Sequence, residues 1–268
     1  MLDISSVTPT VSMLSGVPNP EMFDAEPILE VINSFRNKGY AKKLLLYLPD
    51  AIGETLYKTY SSDFQPVKNV APINVKIRAI YPTFTPVCFA SMFTGAQPKV
   101  HGINRYEKPV IEIDTLFDSF TKEGRRVAIV AVKESSMDTI FRKRDLDYFS
   151  EDYDPEVEAR AIELIQKGKH DLIVAYHQEY DDTMHRTTPR SEAAINAFKK
   201  HIKAFNRLSE VFNKNNTNVP RAIAFLPDHG THLDPNTGKG THGTDLIEDM
   251  EVRHFWGLYA PTRTSALA

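Results

Sequence analysis

Five strand-length apolar runs, separated by stretches of amphipathic helical pattern, constrain this chain more than any other feature of its sequence. The runs are Lys43–Leu48 (KLLLYL), Val75–Ile80, Val127–Val132 (VAIVAV), Leu172–Tyr176 and Ala222–Leu226 (AIAFL). Near-continuous apolar runs suit strands buried on both faces, as in parallel sheets. The intervening segments carry helix boundaries. Asp154-Pro155 supplies an N-cap and an N1 proline, with Val157, Ala161, Leu164 and Ile165 on one face and Gly168 as the stop. Asp114 is placed to cap a shorter helix with Leu116, Phe117 and Phe120 that ends at Gly124. The longest helix is expected from about Ser191 to Asn213, with Ile195, Phe198, Ile202, Phe205 and Phe212 at helical spacing. Such alternation predicts an α/β fold: a three-layer sandwich with helices on both faces of a mostly parallel sheet. No linker or strong repeat interrupts it, so residues 1–268 read as a single domain.

Composition narrows the function. With 41% hydrophobic and 25% charged residues, the chain has the material for a full core. A net charge of −3 leaves no basic surface that would advertise a nucleic-acid polymer as partner. A small anionic substrate remains compatible, because a metal site supplies positive charge locally. The single cysteine, Cys88, rules out an internal disulfide framework and a CxxC zinc ribbon. The opening residues lack the basic start and apolar core of a signal peptide, and no apolar run is long enough to span a bilayer. The expectation is a cytoplasmic protein with no membrane partner, its oligomeric state open.

In open α/β sheets, ligands bind beyond the carboxyl ends of the strands. Here Asp50 follows KLLLYLP, and Thr83 and Thr85 follow IRAIYP. Asp181, Asp182 and His185 follow LIVAYHQEY; Asp228 and His229 follow AIAFLP, with His232 and His242 in the loop beyond. Each has an ordinary explanation. Asp50 and Thr85 could cap the helices after them, Asp181 and His185 could be a solvated i,i+4 pair, and the rest could be loop surface. All of these would have to hold together, at corresponding ends of four different strands. A shared site explains the coincidence more simply.

The order and wording of these segments resemble the alkaline phosphatase superfamily, in particular its type I phosphodiesterase/nucleotide pyrophosphatase branch. LLLYLPDAIG resembles the segment of the first metal-binding aspartate, here Asp50. YPTFTPVCFASMFTGAQPKVHGI resembles the nucleophile segment, in which the second threonine of P-T-x-T attacks phosphorus; that residue is Thr85. YDDTMH resembles the D-x-x-x-H element (Asp181, His185), LPDHG the S-D-H-G element (Asp228, His229), and GKGTHG holds the late histidine, His242. The resemblance implies an alkaline phosphatase-like core. It also implies two divalent ions, one held by Asp50, Thr85, Asp228 and His229, the other by Asp181, His185 and His242. His/carboxylate ligation fits zinc best, with manganese next. The implied reaction is hydrolysis of a small phosphate ester through a phospho-threonine at Thr85, with two ions about 4 Å apart clamping the attacking and leaving oxygens.

Three points depart from the family pattern or stay open. The family often uses an asparagine shortly after H-G-I to hold a phosphoryl oxygen; Asn104 in HGINRYEKP is the candidate, but it comes early. Arg105 and Arg186 adjoin motif residues and could supply a cation for a monoester, or could be surface. SVTPTVSMLSGVPNPEMFDAEPI, from Ser6, resembles a segment that superfamily members carry near the carboxyl end. Either the chain is circularly permuted, with helix Thr10–Leu14 near strand His254–Tyr259, or Thr8-Pro9 starts an ordinary helix. Diester or pyrophosphate bonds are the favoured substrates, with monoesters, phosphonates, and non-catalytic binding of metal or phosphate ester as alternatives.

Overall fold

The computed structural model describes residues 2–36 and 38–262. Strands β1 (Lys43–Pro49), β2 (Ile73–Arg78), β3 (Val127–Val132), β4 (Asp147–Glu151), β5 (Leu172–His177), β6 (Arg221–Phe225) and β9 (Glu251–Tyr259) form one sheet in the order β2-β9-β6-β1-β5-β3-β4. A small hairpin, β7 (His232–Leu233) with β8 (Gly240–Thr241), stands apart. The helices are α1 (Val7–Ser15), α2 (Leu29–Phe35), α3 (Glu54–Thr59), α4 (Gln65–Val70), α5 (Thr85–Thr94) and α6 (Pro98–His101) in the first half. In the second half come α7 (Leu116–Lys122), α8 (Ser136–Thr139), α9 (Asp154–Lys167), α10 (Glu179–Arg186), α11 (Glu192–Asn215) and α12 (Ile247–Met250). Among the described residues, no helix is long and apolar enough to cross a membrane.

Strand alternation divides the core into two layers. Leu44, Leu46 and Leu48 of β1 pack into one, with α1, α2, α5 and α7; Leu45 and Tyr47 pack into the other, with α4, α9 and α11. All five side chains are fully buried, which is why β1 reads as an unbroken apolar run. β1 pairs in parallel with β5 and β6, so the residues just past β1, β5 and β6 emerge at one edge.

Two details differ from the sequence expectation. β9 runs antiparallel between β2 and β6, so β2 points the same way as the other strands and has β9 as its one neighbour in the sheet order. β4 (DYFSE) carries no apolar run, because it is an edge strand with no fully buried position. Two helix starts also shift. Thr115, not Asp114, caps α7, in a capping box with Asp118. Tyr153 stands at the N-cap of α9, and the Asp154 carboxylate turns away from its own helix to accept from Gln178 N (2.9 Å) and Glu179 N (3.0 Å). At the amino terminus, Arg78 N donates to Leu2 O, and α1 packs on α2 and α5. α1 side chains Val7, Val11 and Leu14 belong to the same core layer as Trp256 of β9, and it is α2 that packs directly on β9.

Of the histidines buried away from the carboxyl edge or just beneath it, four are strongly shifted. Burial lowers His101 to about 4, His177 to about 3, His201 to about 4 and His254 to about 4. Their unfolded-state value is near 6.5, so between about 6.5 and 4 the unfolded chain binds more protons than the folded one. Stability from these groups is present above 6.5 and lost as pH falls towards 4, at about 1.4 kcal/mol per pH unit per group. Thermal melts across this range should show a steep fall in Tm on acidification; a flat profile would contradict the neutral, buried state of these rings.

Candidate metal centre

The turn after β1 is tight: Ala51 adopts a left-handed φ of 63°, and its N–H donates to Asp228 Oδ1 at 3.2 Å. This places Asp50 from β1 beside Asp228 from the end of β6. Gly230 follows because nothing larger fits: a Cβ there would lie 2.0 Å from Glu248 O. Thr85, the first residue of α5, directs its hydroxyl to the same point, 3.4 Å from Asp50 Oδ2 and 3.2 Å from His229 Nε2. Thr83 is used differently. Its hydroxyl donates to Thr244 O (3.0 Å) and accepts from Gly243 N (2.9 Å), tying down the loop that carries His242.

Two groups of possible ligands result, Asp50/Asp228/His229 and Asp181/His185/His242, each with ligand atoms within 4.8 Å of one another. The rings of His229 and His242 stack at 4.1 Å between centroids and join the groups. The seven positions singled out from the sequence thus converge. Asp50, Thr85, Asp181, His185 and His242 line a cavity of about 380 Å³, while Asp228 and His229 lie fully buried beneath it.

The hydrogen bonds decide what these groups can hold. Each histidine has Nδ1 against a backbone carbonyl: His229 to Gly230 O (3.0 Å), His185 to Gly240 O (3.0 Å) and His242 to Thr83 O (2.7 Å). A carbonyl only accepts, so in each neutral ring the proton sits on Nδ1 and Nε2 presents a lone pair. Those lone pairs face carboxylate oxygens. His229 Nε2 is 3.4 Å from Asp50 Oδ1 and 3.4 Å from Asp228 Oδ2; Asp181 Oδ1 is 3.4 Å from His185 Nε2 and 3.5 Å from His242 Nε2. The same three oxygens, Asp50 Oδ1, Asp181 Oδ1 and Asp228 Oδ2, are buried without any hydrogen-bond partner. Acceptors therefore face acceptors in a buried pocket, an arrangement that a cation resolves. The spacing agrees, since ligands about 2.0–2.1 Å from a tetrahedral centre stand about 3.3–3.4 Å apart.

Titration follows the same logic. Burial, with the charges of Asp228 and Asp181, holds Asp50 well above the usual carboxylate range, and burial pushes Asp228 up to about 8. Burial drives His229 well below its ordinary value and also lowers His242. Burial would raise Asp181, but His185 and His242 outweigh it and bring Asp181 down; burial would lower His185, but Asp181 outweighs it and raises it. Protons on Asp50, Asp228 and His185 are thus the alternative to a cation in balancing this pocket, and binding of a cation would release them.

Other candidates fare differently. Asn104 is exposed and lies outside the cavity lining, because Gly102 in the left-handed region ends α6 and the buried Ile103 turns the next residue to solvent. Arg105 pairs with Glu107, and Arg186 is exposed; neither lines the cavity. His232 bonds to the buried Asp249 at 2.8 Å and belongs to neither group. The sequence reading overlooked Tyr176, whose hydroxyl donates to Asp50 Oδ2, and Lys108 and Lys133, which line the cavity wall. Tyr176 was the last residue of a predicted strand, where only the residues beyond the run had been considered. Lys133 directly follows VAIVAV and could have been found by the same strand-end rule.

A protein that closes these acceptor clusters around divalent ions is stabilised by them, by about 4 kcal/mol for free ion at 1,000 times its Kd. Melting with zinc and then with excess chelator should show a Tm several degrees lower in chelator, and Asp228→Asn should remove part of the difference. An identical Tm in both conditions would contradict the cation reading.

Comparison with known proteins gives the family and the fold. The description of the type I phosphodiesterase / nucleotide pyrophosphatase family matches residues 73–260, which hold Thr85, Asp181, His185, Asp228, His229 and His242; Asp50 lies before the match. No curated protein sequence matches the chain. Among solved structures, a phosphonoacetate hydrolase from Sinorhizobium meliloti 1021 in complex with phosphonoacetate is similar at 15% identity and a TM-score of 0.53, over 73% of this chain and 58% of the other. An inactive murine ectonucleotide pyrophosphatase / phosphodiesterase 5 in complex with AMP is similar at 18% identity and 0.58, over 73% and 59%. A 2-O GAG sulfatase is similar at 12% and 0.55, over 82% and 64%. At these identities the likeness is one of fold, and the chain spans about three fifths of the length of these structures. The family match covers well over half of the sequence, and the chain belongs to the type I phosphodiesterase / nucleotide pyrophosphatase family.

Proposed function

We propose that the protein hydrolyses small phosphoric esters, phosphodiester or pyrophosphate bonds foremost, with Thr85 as nucleophile and two divalent ions, zinc first, in the two acceptor clusters. The observation that carries this reading is the position of the Thr85 hydroxyl. It sits at the amino end of α5, between Asp50 Oδ2 and His229 Nε2, at the floor of the cavity that the second cluster also lines. Asp50, Thr85, Asp228 and His229 would hold one ion, and Asp181, His185 and His242 the other. Bound there, such ions would make the Thr85 alkoxide accessible at neutral pH and neutralise charge on the phosphoryl oxygens.

The protein's own groups do the rest. Tyr176 and the Ala51 N–H fix the two carboxylates against which the Thr85 hydroxyl is set. Thr85 Oγ1 forms the new bond to phosphorus as the leaving oxygen departs with the electron pair of the old one. Water then attacks the phospho-threonine, which restores the hydroxyl and releases phosphate or a phosphate monoester. The N–H groups at the start of α5 favour an anion at its amino end. Lys108 and Lys133 bring two cationic side chains to the cavity wall, where Lys108 Nζ also donates to Glu134 O at 2.8 Å, and Phe84 and Tyr106 line it beside them. A pyrophosphate or another leaving group with its own negative charge suits that wall. The single sheet with its two helical layers supports reading residues 1–268 as one hydrolase domain.

Thr85→Ala should lower turnover by about 10³-fold or more, and the bound metal should stay close to the wild-type content. Assays of the metal-loaded protein on a chromogenic diester, a monoester, a dinucleotide pyrophosphate and a phosphonate would rank the substrates. Unchanged turnover in metal-loaded Thr85→Ala would end the nucleophile assignment, and inactivity of the loaded wild type on all four would favour a binding role.

A further inference from the structure

A third cluster of polar groups lies buried beneath the centre. Asp154, His177 and His201 bring ligand atoms within 4.8 Å of one another, and Tyr47 Oη stands 3.0 Å from Nδ1 of each histidine. The hydrogen-bond directions exclude a metal there. Tyr180 N–H donates to His201 Nε2 at 3.1 Å, so the His201 proton resides on Nδ1, the atom that would have to bind the ion. That Nδ1–H donates to Tyr47 Oη, and the tyrosine O–H is then free to donate to His177 Nδ1. His201 is fully buried and stays neutral near pH 7, which keeps its Nε2 an acceptor.

The cluster has another use. The N–H groups that open a helix have no partner within it, and Gln178, at the N-cap of α10, offers no side-chain cap. Three successive backbone N–H groups there are instead taken by distant side chains. Asp154 accepts from Gln178 and Glu179, and His201 of α11 accepts from Tyr180. The next residue is Asp181, and one turn later comes His185, which together are two-thirds of one acceptor cluster. The other cluster meets the network only at the sheet backbone, where Asp50 N–H donates to His177 O at 3.0 Å; among the described residues no hydrogen bond from the Asp154 or His201 side chain reaches Asp50, Asp228 or Thr85. We propose that Asp154 and His201 are positioning residues that set the axial place of α10, and through it the site formed by Asp181, His185 and His242. The inference rests on the two-ion reading above and assigns to one of its sites a support the other lacks.

Outer groups that orient metal ligands typically change affinity by about 10–100-fold when removed. Zinc titration of the metal-free protein against a competing chelator would resolve two binding constants, with Asp181→Asn and Asp228→Asn identifying which site is which. His201→Phe keeps the ring volume but removes the acceptor; it should weaken the Asp181 site by roughly 10-fold or more and leave the other within about 2-fold. His201→Gln keeps an acceptor at the same reach and should recover most of the loss. Amide exchange should show lost protection confined to residues 178–186. Should His201→Phe fail to fold, Asp154→Asn carries the same test. Two wild-type sites that both keep their affinity in the variant, or weaken by the same factor, would overturn the positioning role alone. A wild type that binds fewer than two ions would overturn the two-ion reading and this inference with it.

Discussion

The arrangement depends on one electrostatic mismatch: buried carboxylate oxygens facing imidazole lone pairs, which only protons or a cation can balance. Asp50 Oδ1, Asp181 Oδ1 and Asp228 Oδ2 lack partners, and every neighbouring Nε2 is turned towards them by a carbonyl behind Nδ1. Leaving several buried acceptors unsatisfied costs a few kcal/mol each, which a domain of ordinary stability cannot tolerate repeatedly without compensating protons or a cation. Proteins keep such arrangements where function requires them. Other features of the edge follow from it. Ala51 takes a left-handed conformation to bring Asp50 against Asp228; Gly230 clears room for Glu248 O; Thr83 gives up its hydroxyl to hold the loop of His242.

The sheet explains why the two clusters are neighbours. β1 lies between β5 and β6, and the strands run parallel, so their last residues come out side by side. Asp50 leaves β1 directly, Asp228 follows β6, and Asp181 follows β5 within the first turn of α10. A turn is a looser connection than a strand end. The buried acceptors Asp154 and His201 act where that looseness would otherwise arise, on the first free N–H groups of α10. Support by a strand on one side and by a trans-capped helix on the other is a physical difference between the two clusters.

Much of this was legible in the sequence, for reasons that vary by residue. β1, β3, β5 and β6 declared themselves because a strand buried on both faces has no polar alternation, and the chemistry lies where each run ends. The order Asp50, Thr85, Asp181, His185, Asp228, His229, His242 was readable from that rule and from the family resemblance, and the fold brings all seven together. What escaped notice depends on contacts between distant segments. β4 is polar because it is an edge. Asp154 has the local wording of an N-cap, but its carboxylate serves a helix about 25 residues away, which no local pattern reveals. Asn104 comes earlier than the family spacing, and beyond the left-handed Gly102 it is exposed. Lys133 follows β3 directly and obeys the strand-end rule, whereas Lys108 lies in a loop that only the fold brings to the cavity.

The most direct test is to locate the ions themselves. Crystals of the zinc-loaded protein, measured on both sides of the zinc absorption edge, should give two anomalous peaks per chain. One should lie among Asp50, Thr85, Asp228 and His229, the other among Asp181, His185 and His242. The space between Asp154, His177 and His201 should carry none. Absence of density at both clusters, or a peak at Asp154/His177/His201 in their place, would contradict the cation-centred account of this edge.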